Sequence, residues 1–201
     1  MTGDDGMSAQ SIEDLSLMCA LPNFTVIVPA DGPETVKAVV AAANTKGPFY
    51  IRLSRAATPI IHDENYSFEI GKAEIMRSGQ QATIIACGIM VDAALIAADK
   101  LSTEGINCSV INMATLQPVD KETIITAAKN TGAIITAEEH LHHGGLNSIV
   151  SQVIGENHPV PVEAVSLTGY AESGDPKLLL EKYGLTPDSI VKAVKSAIER
   201  K

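Results

Sequence analysis

Two periods of apolar residues take turns along this chain. Stretches such as Thr83-Ile84-Ile85-Ala86 and Ala133-Ile134-Ile135 are apolar without interruption, as expected of strands covered on both faces. Between them, apolar positions recur every three or four residues, the spacing of one helix face. From residue 66 onward the pattern predicts strands over 73–77, 82–87, 108–112, 133–137 and 162–167, and helices over 91–101, 121–129, 146–154, 176–183 and 187–199. Strands that alternate with helices in this way form a mostly parallel sheet with helices on both faces, an α/β fold.

The first quarter of the chain is less complete. Residues 1–10 carry Gly3, Gly6 and two acids before any apolar period begins, and read as a loop. Ser11-Ile12-Glu13-Asp14 predicts a short helix with Ser11 as N-cap and Asp14 closing a variant capping box, Ile12, Leu15 and Met18 or Cys19 facing inward. A strand follows over 24–28, then a helix opened by Asp31-Gly32-Pro33-Glu34 with Val36, Val39, Val40 and Ala43 on one face, then a strand over 49–53. Both periods disappear between Arg55 and Asn65, where Pro59, His62, Asp63 and Glu64 collect. The expected organisation is therefore a partial α/β unit over 1–58, a linker over 59–69 and an α/β domain over 70–201. Two helices and two strands fall short of a minimal domain, so the first unit reads as truncated at its N-terminus and in need of a second surface for its apolar residues.

Composition removes several function classes. With 15 Lys and Arg against 24 Asp and Glu, the formal charge is -9, and no basic cluster offers a phosphate-backbone footprint, so nucleic acid is not an expected partner. The apolar runs are far shorter than the roughly 20 residues of a membrane span, and no secretory signal pattern opens the chain. Cys19, Cys87 and Cys108 form no CxxC pair and sit in apolar contexts, which reads as buried thiols and a reducing cytoplasm.

Taken residue by residue, the candidate chemistry is modest. Asp5, before Gly6, reads as a turn cap. Arg55, at the end of a strand, reads as a surface ion-pair partner, and Arg52 alternates to the opposite strand face as a structural residue. His140, His142 and His143, with Glu138 and Glu139, invite comparison with a metal site, but their spacing is not that of a structural zinc centre and a polar loop is the simpler reading. Cys87-Gly88-Ile89-Met90 and Glu172-Ser173-Gly174-Asp175 are weak candidates for anion cradles at helix starts.

The order and spacing of several short stretches add more. Gly3-Asp4-Asp5-Gly6 through Leu15, Leu21-Pro22-Asn23, Val28-Pro29-Ala30-Asp31, Leu53-Ser54-Arg55, Leu116-Gln117-Pro118-Val119-Asp120, Glu138-Glu139-His140 with Gly144-Gly145-Leu146, and Ser173-Gly174 with Tyr183-Gly184-Leu185 together resemble the C-terminal section of transketolase. The resemblance covers essentially the whole chain: the end of the pyrimidine-binding domain, then the C-terminal domain. It implies that Asp5 contacts hydroxyls of the sugar phosphate near the reacting carbon, and that Arg55 grips the terminal phosphate. It also implies a two-carbon ketol transfer dependent on thiamine diphosphate and Mg²⁺, both held mainly by parts absent from this chain. The expected partners are an N-terminal transketolase section or upstream domain, sugar phosphates, and further subunits in a homo- or hetero-oligomer. Ala9 departs from the resemblance, standing where such enzymes carry histidine or glutamine. That departure, and the missing cofactor groups, leave open a second reading as a non-catalytic assembly or regulatory module.

Overall fold

The computed structural model describes residues 3–201; Met1 and Thr2, with which the expected first unit begins, lie outside the described residues. Two 3₁₀ turns, Gly3–Asp5 and Met7–Ala9, lead into α1 (Asp14–Cys19), β1 (Thr25–Ile27), α2 (Gly32–Ala43) and β2 (Phe49–Ile51). The second part runs β3 (Glu74–Arg77), β4 (Ala82–Ala86), α3 (Met90–Thr103), β5 (Cys108–Asn112), β6 (Thr115–Gln117) and α4 (Lys121–Thr131). It continues through β7 (Ile134–Leu141), α5 (Leu146–Asn157), β8 (Val162–Leu167), α6 (Pro176–Lys182) and α7 (Pro187–Glu199).

The larger sheet has the order β3-β5-β4-β7-β8. Four of its strands are parallel, and β3 is an antiparallel edge. Successive residues of β4 point to opposite faces. Ile84 therefore joins the core under α3 and α7, whereas Ile85 joins the core under α4 and α5. Helices cover both faces, which explains why the central strands carry no polar alternation.

The two parts share both cores: Ile12 and Ala30 join the one under α3 and α7, and the first part enters the other more deeply. Leu15, Val26 and Val28 pack with Ile85, Ile111, Met113, Leu116, Ile124 and Val150, and each such side chain contributes about 1.5–3 kcal/mol by leaving water. The smaller sheet, ordered β2-β1-β6, also crosses the boundary: β1 and β2 are parallel partners, and β6, supplied by the second part, pairs antiparallel with β1. The first unit thus finds in the second the surface that its short sequence lacks.

Several expectations are corrected. Ser11 does not cap α1: the cap position is Glu13, without a side-chain hydrogen bond, and the Asp14 carboxylate accepts instead from Tyr50 Oη at 2.8 Å. Strand β6 has only three residues, too few to register as a period beside β5. The stripe of α2 faces outward, with Val36 61% and Val40 54% exposed, while Glu34 and Ala38 are buried. A small residue at 38 lets the helix lie close to its neighbours, and the Glu34 carboxylate is satisfied by Ala30 N–H, Tyr66 Oη and Asn112 Nδ2. The segment joining the two parts is irregular as expected, yet it is anchored: Asp31, the cap of α2, also accepts from the backbone N–H groups of Ile61 and His62, each at 2.8 Å.

Gly144 makes the contact between the units steric as well as apolar. Its φ is 84°, and a Cβ built there would lie 2.2 Å from Ser16 Cβ in α1. Gly144→Ala must therefore both strain the backbone and push α1 away. It should lower stability by about 2–4 kcal/mol and the melting temperature by roughly 5–15 °C, read by circular dichroism. A change of less than a degree would mean that α1 is not seated here.

Candidate functional site

The site is built on the ends of three short elements. The loop bearing Asp5 owes its path to two glycines in the left-handed region, Gly3 at φ 77° and Gly6 at φ 74°. Both lie against the turn before α6: a Cβ on Gly6 would come within 2.5 Å of Ser173 Oγ, and one on Gly3 within 2.9 Å of Pro176 Cγ. Buried Gln10 extends the same seam by donating its amide to the Glu172 carbonyl at 3.5 Å. The second part of the chain therefore shapes the loop that presents Asp5.

Strand β2 delivers the arginines. Arg55 lies just beyond it and forms an ion pair with Asp5, the two side chains being 64% and 46% exposed. The two residues singled out in the sequence are thus brought together, and each has its bland partner in the other. A pair this open to water contributes about 0–1 kcal/mol, so an anion competing for the guanidinium has little to displace.

Arg52 is the residue whose part the sequence understated. Its Nε lies 3.3 Å from Asp14 Oδ2, its Nη2 donates to the Ser11 carbonyl at 3.1 Å, and the same nitrogen is 3.9 Å from Glu139 Oε2 on β7. Arg52 follows β2 directly, and its side chain is largely shielded from solvent. The long-range partners that give it a task carry no local sequence signal. Between these groups lies a cavity of about 210 Å³, walled by Ala9, Gln10, Asp14, Tyr50, Arg52 and Arg55 among others. Gln10 Oε1 and Asp14 Oδ1 are buried acceptor oxygens without a hydrogen-bond partner among the described residues.

The expected polar loop holds only for His142 and His143, which follow β7 in a turn; Glu138, Glu139 and His140 lie within β7 and are buried, because the strand runs on to Leu141. His140 is buried, its Nε2 accepting from Ser16 N–H at 3.3 Å and its Nδ1 2.8 Å from the Leu141 carbonyl. Burial lowers its pKa, opposed by the bond to Leu141, and the neutral ring suits both contacts. His142 lies 3.1 Å from Ser166 Oγ, and His143 is exposed. Among the described residues no group of three or more His, Cys, Asp or Glu could hold a metal ion. Cys19 and Cys108 have their thiol pKa pushed up to about 11 by burial, and Cys87 is raised further for the same reason. No helix among the described residues is long and apolar enough to cross a membrane.

Glu138 is a buried carboxylate with a structural task. It accepts from Leu146 N–H and Asn147 N–H at 2.7 and 2.8 Å, capping α5 from the neighbouring strand. Burial raises its pKa to about 7, partly offset by those two hydrogen bonds and by Arg52.

A doubly wound sheet whose carboxyl end receives a second, smaller sheet defines an α/β protein, with Asp5 and Arg55 paired beside a cavity near the seam between the sheets. Comparison with known proteins makes this specific. Residues 71–190 match the family described as transketolase, C-terminal domain, and residues 1–60 match transketolase, pyrimidine binding domain. The chain belongs to the transketolase family. It is 41% identical over 195 residues to transketolase-like protein 1 of Bos taurus, covering 96% of this chain and 33% of that protein. It is 40% identical over 198 residues to the 6-deoxy-6-sulfo-D-fructose transketolase subunit SqwH of Clostridium sp. (strain MSTE9), covering 98% and 62%. Among solved structures, a split gene transketolase described as an inactive beta4 tetramer matches with TM-score 0.95 and 45% identity, over 98% of this chain and 65% of that one. The chain thus spans about a third to two thirds of the length of these relatives.

The family uses thiamine diphosphate, but the residues described here do not fit a metal-bound diphosphate. Asp5 is engaged with Arg55, and among the described residues no group of three or more His, Cys, Asp or Glu could hold the metal ion.

The raised pKa of Glu138 has a testable sign. Between about pH 4.3, the ordinary value, and about 7, the folded protein binds the proton more tightly than the unfolded chain. This stabilisation is full below the unfolded value and is lost as pH rises through about 7. Wild-type stability relative to Glu138→Gln should therefore fall by about 1–3 kcal/mol between pH 5 and 8 in urea titrations. A difference constant across that range would show that Glu138 ionises at an ordinary pH.

Proposed function

We propose that the chain is the C-terminal section of a thiamine-diphosphate transketolase that moves a two-carbon ketol unit from a ketose phosphate to an aldose phosphate. The observation that carries this reading is the pairing of Asp5 with Arg55 beside the cavity lined by Gln10, Asp14, Arg52 and Arg55. A planar guanidinium matches phosphate oxygens bidentately. A phosphate taken by Arg55 frees the Asp5 carboxylate to accept from a sugar hydroxyl.

The chain's own residues, on this reading, bind and orient the sugar, while an N-terminal section or upstream domain supplies the thiamine diphosphate, Mg²⁺ and the groups that activate the cofactor. Residues 1–58 are the end of the pyrimidine-binding domain and 70–201 the C-terminal domain, joined by 59–69. The similar solved structure is named as a split gene transketolase in an inactive beta4 tetramer, which agrees with a section that works in an oligomer with a complementary one. Ala9, with only a methyl group on the cavity wall, favours a second reading as an assembly module, in which the fold is kept without substrate contact.

Kinetics of the assembled enzyme separate these readings. Arg55→Ala should raise KM for a phosphorylated ketose by one to two decades, because a lost charge-assisted contact costs about 1.5–3 kcal/mol. The effect on kcat should be smaller, since the phosphate is remote from the carbon bond being broken and is held alike in ground and transition states. A non-phosphorylated substrate should erase the difference between wild type and variant. An equal penalty with that substrate would make Arg55 a structural ion-pair residue. In calorimetry the chain alone should not bind thiamine diphosphate with Mg²⁺ tightly, and micromolar affinity would contradict the division of labour.

A further inference from the structure

Arg55 and Asp5 come from different elements and are held together only by a weak, exposed pair. Something else must fix the distance between them. Arg52 touches both supports. It belongs to the segment that carries Arg55, three residues further on, and its N–H donates to the Ile27 carbonyl at 2.9 Å, locking the segment to β1. Its guanidinium reaches the Ser11 carbonyl, at the end of the loop that carries Asp5, and the carboxylate of Asp14, where α1 begins. The third contact, Glu139 at 3.9 Å, lies on β7 in the second part of the chain.

We infer that Arg52 is a positioning residue that sets the spacing of Asp5 and Arg55 by tying the loop of one and the strand of the other to the second sheet; this rests on the sugar-phosphate reading above. The physical reason is the shape of the group. A guanidinium presents donors in a rigid fork and can serve Ser11, Asp14 and Glu139 from fixed directions at once, which a single ammonium on a flexible stem cannot. Its side chain is only 15% exposed, so solvent screens these contacts far less than it does the Asp5–Arg55 pair. Tyr50 Oη, donating to the same Asp14 oxygen that faces Arg52 Nε, holds the carboxylate in place. Arg52 lines the cavity, but its guanidinium is engaged by Ser11, Asp14 and Glu139, so it acts through these neighbours.

NMR on the chain itself gives the first test. Arg52→Lys keeps the charge and loses the fork. The backbone heteronuclear NOE should fall at Met7–Ala9 and at Ser54 and Arg55, while Ile84 and Ile85 keep wild-type values. Loss of thermal stability with unchanged order in those two segments would make Arg52 a stabilising residue only and overturn the inference. Should Arg52→Lys not fold, Asp14→Asn removes one arm of the clamp and carries the same two outcomes. In the enzyme assembled with its cofactor-binding section, Arg52→Lys should raise KM for a phosphorylated ketose about five- to tenfold, more than it lowers kcat, and should add nothing in an Arg55→Ala background. Additive effects of the two substitutions overturn the inference. If Arg55→Ala itself leaves KM unchanged, the sugar-phosphate reading fails, whereas the NMR comparison still decides what Arg52 does.

Discussion

The seating of β1 against the carboxyl end of the larger sheet is the constraint on which the rest depends. At Val28 the backbone is held on both sides: its N–H donates to the Ala114 carbonyl at 2.7 Å, and its carbonyl accepts from Gly88 N–H at 3.2 Å. Gly88 sits at φ 57°, and a Cβ there would lie 3.0 Å from Val28 Cγ1. In open α/β sheets this crevice, beyond the strand where the winding reverses, is the usual ligand site. Here Val28, Pro29, Arg52 and Leu53 fill it, leaving a cavity of only about 10 Å³. The second sheet therefore gives up its crevice as a docking surface, and the candidate site moves outward to the rim where β2 and the Asp5 loop meet.

That arrangement accounts for the buried polar groups along the seam. A strand and a helix inserted at a sheet's carboxyl end bring backbone N–H groups and carboxylates into a dry region, where each needs a partner. Ser16 N–H finds His140, and Leu141 N–H finds the Ile12 carbonyl. Glu34 bridges α2 to Tyr66 and Asn112, and Asp31 bridges it to the joining segment through two backbone amides and the His62 ring. Burial raises the Tyr66 phenol well above its ordinary range, reinforced by the Glu34 carboxylate, so it remains a donor to that oxygen. These bonds give the interface directionality that apolar packing alone would not supply.

Much of this was legible in the chain's pattern, for reasons that particular residues make clear. Strands such as β4 and β5 and the helices α3 to α7 carry strong periods because most of the residues packed against them lie within the second part. Gly and Pro at element ends, as at Pro176 and Pro187, fixed several helix starts. Strand β6 escaped because its partner lies nearly ninety residues earlier, at Val26 and Ile27, and three residues carry no period of their own. The Ser11 capping box failed because Asp14 is drawn to Tyr50 and Arg52, a tertiary demand that local spacing cannot register. Asp5 and Arg55 came from resemblance in order and spacing. Arg52, Gln10 and Asp14 became visible only when the fold brought distant elements within hydrogen-bond reach.

If the seating of β1 governs the molecule, the two parts form one cooperative unit despite their unequal sequence signals. Native-state hydrogen exchange measured against denaturant tests this most directly. The amides of Val28 and Arg52, bonded to Ala114 and Ile27, should exchange with free energies within about 1 kcal/mol of those of Thr83 and Met113, bonded to Ala133 and Ala86, and with the same denaturant slope. Exchange of Val28 and Arg52 at several kcal/mol lower free energy, with a smaller slope, would show that the first part opens on its own and would contradict the account.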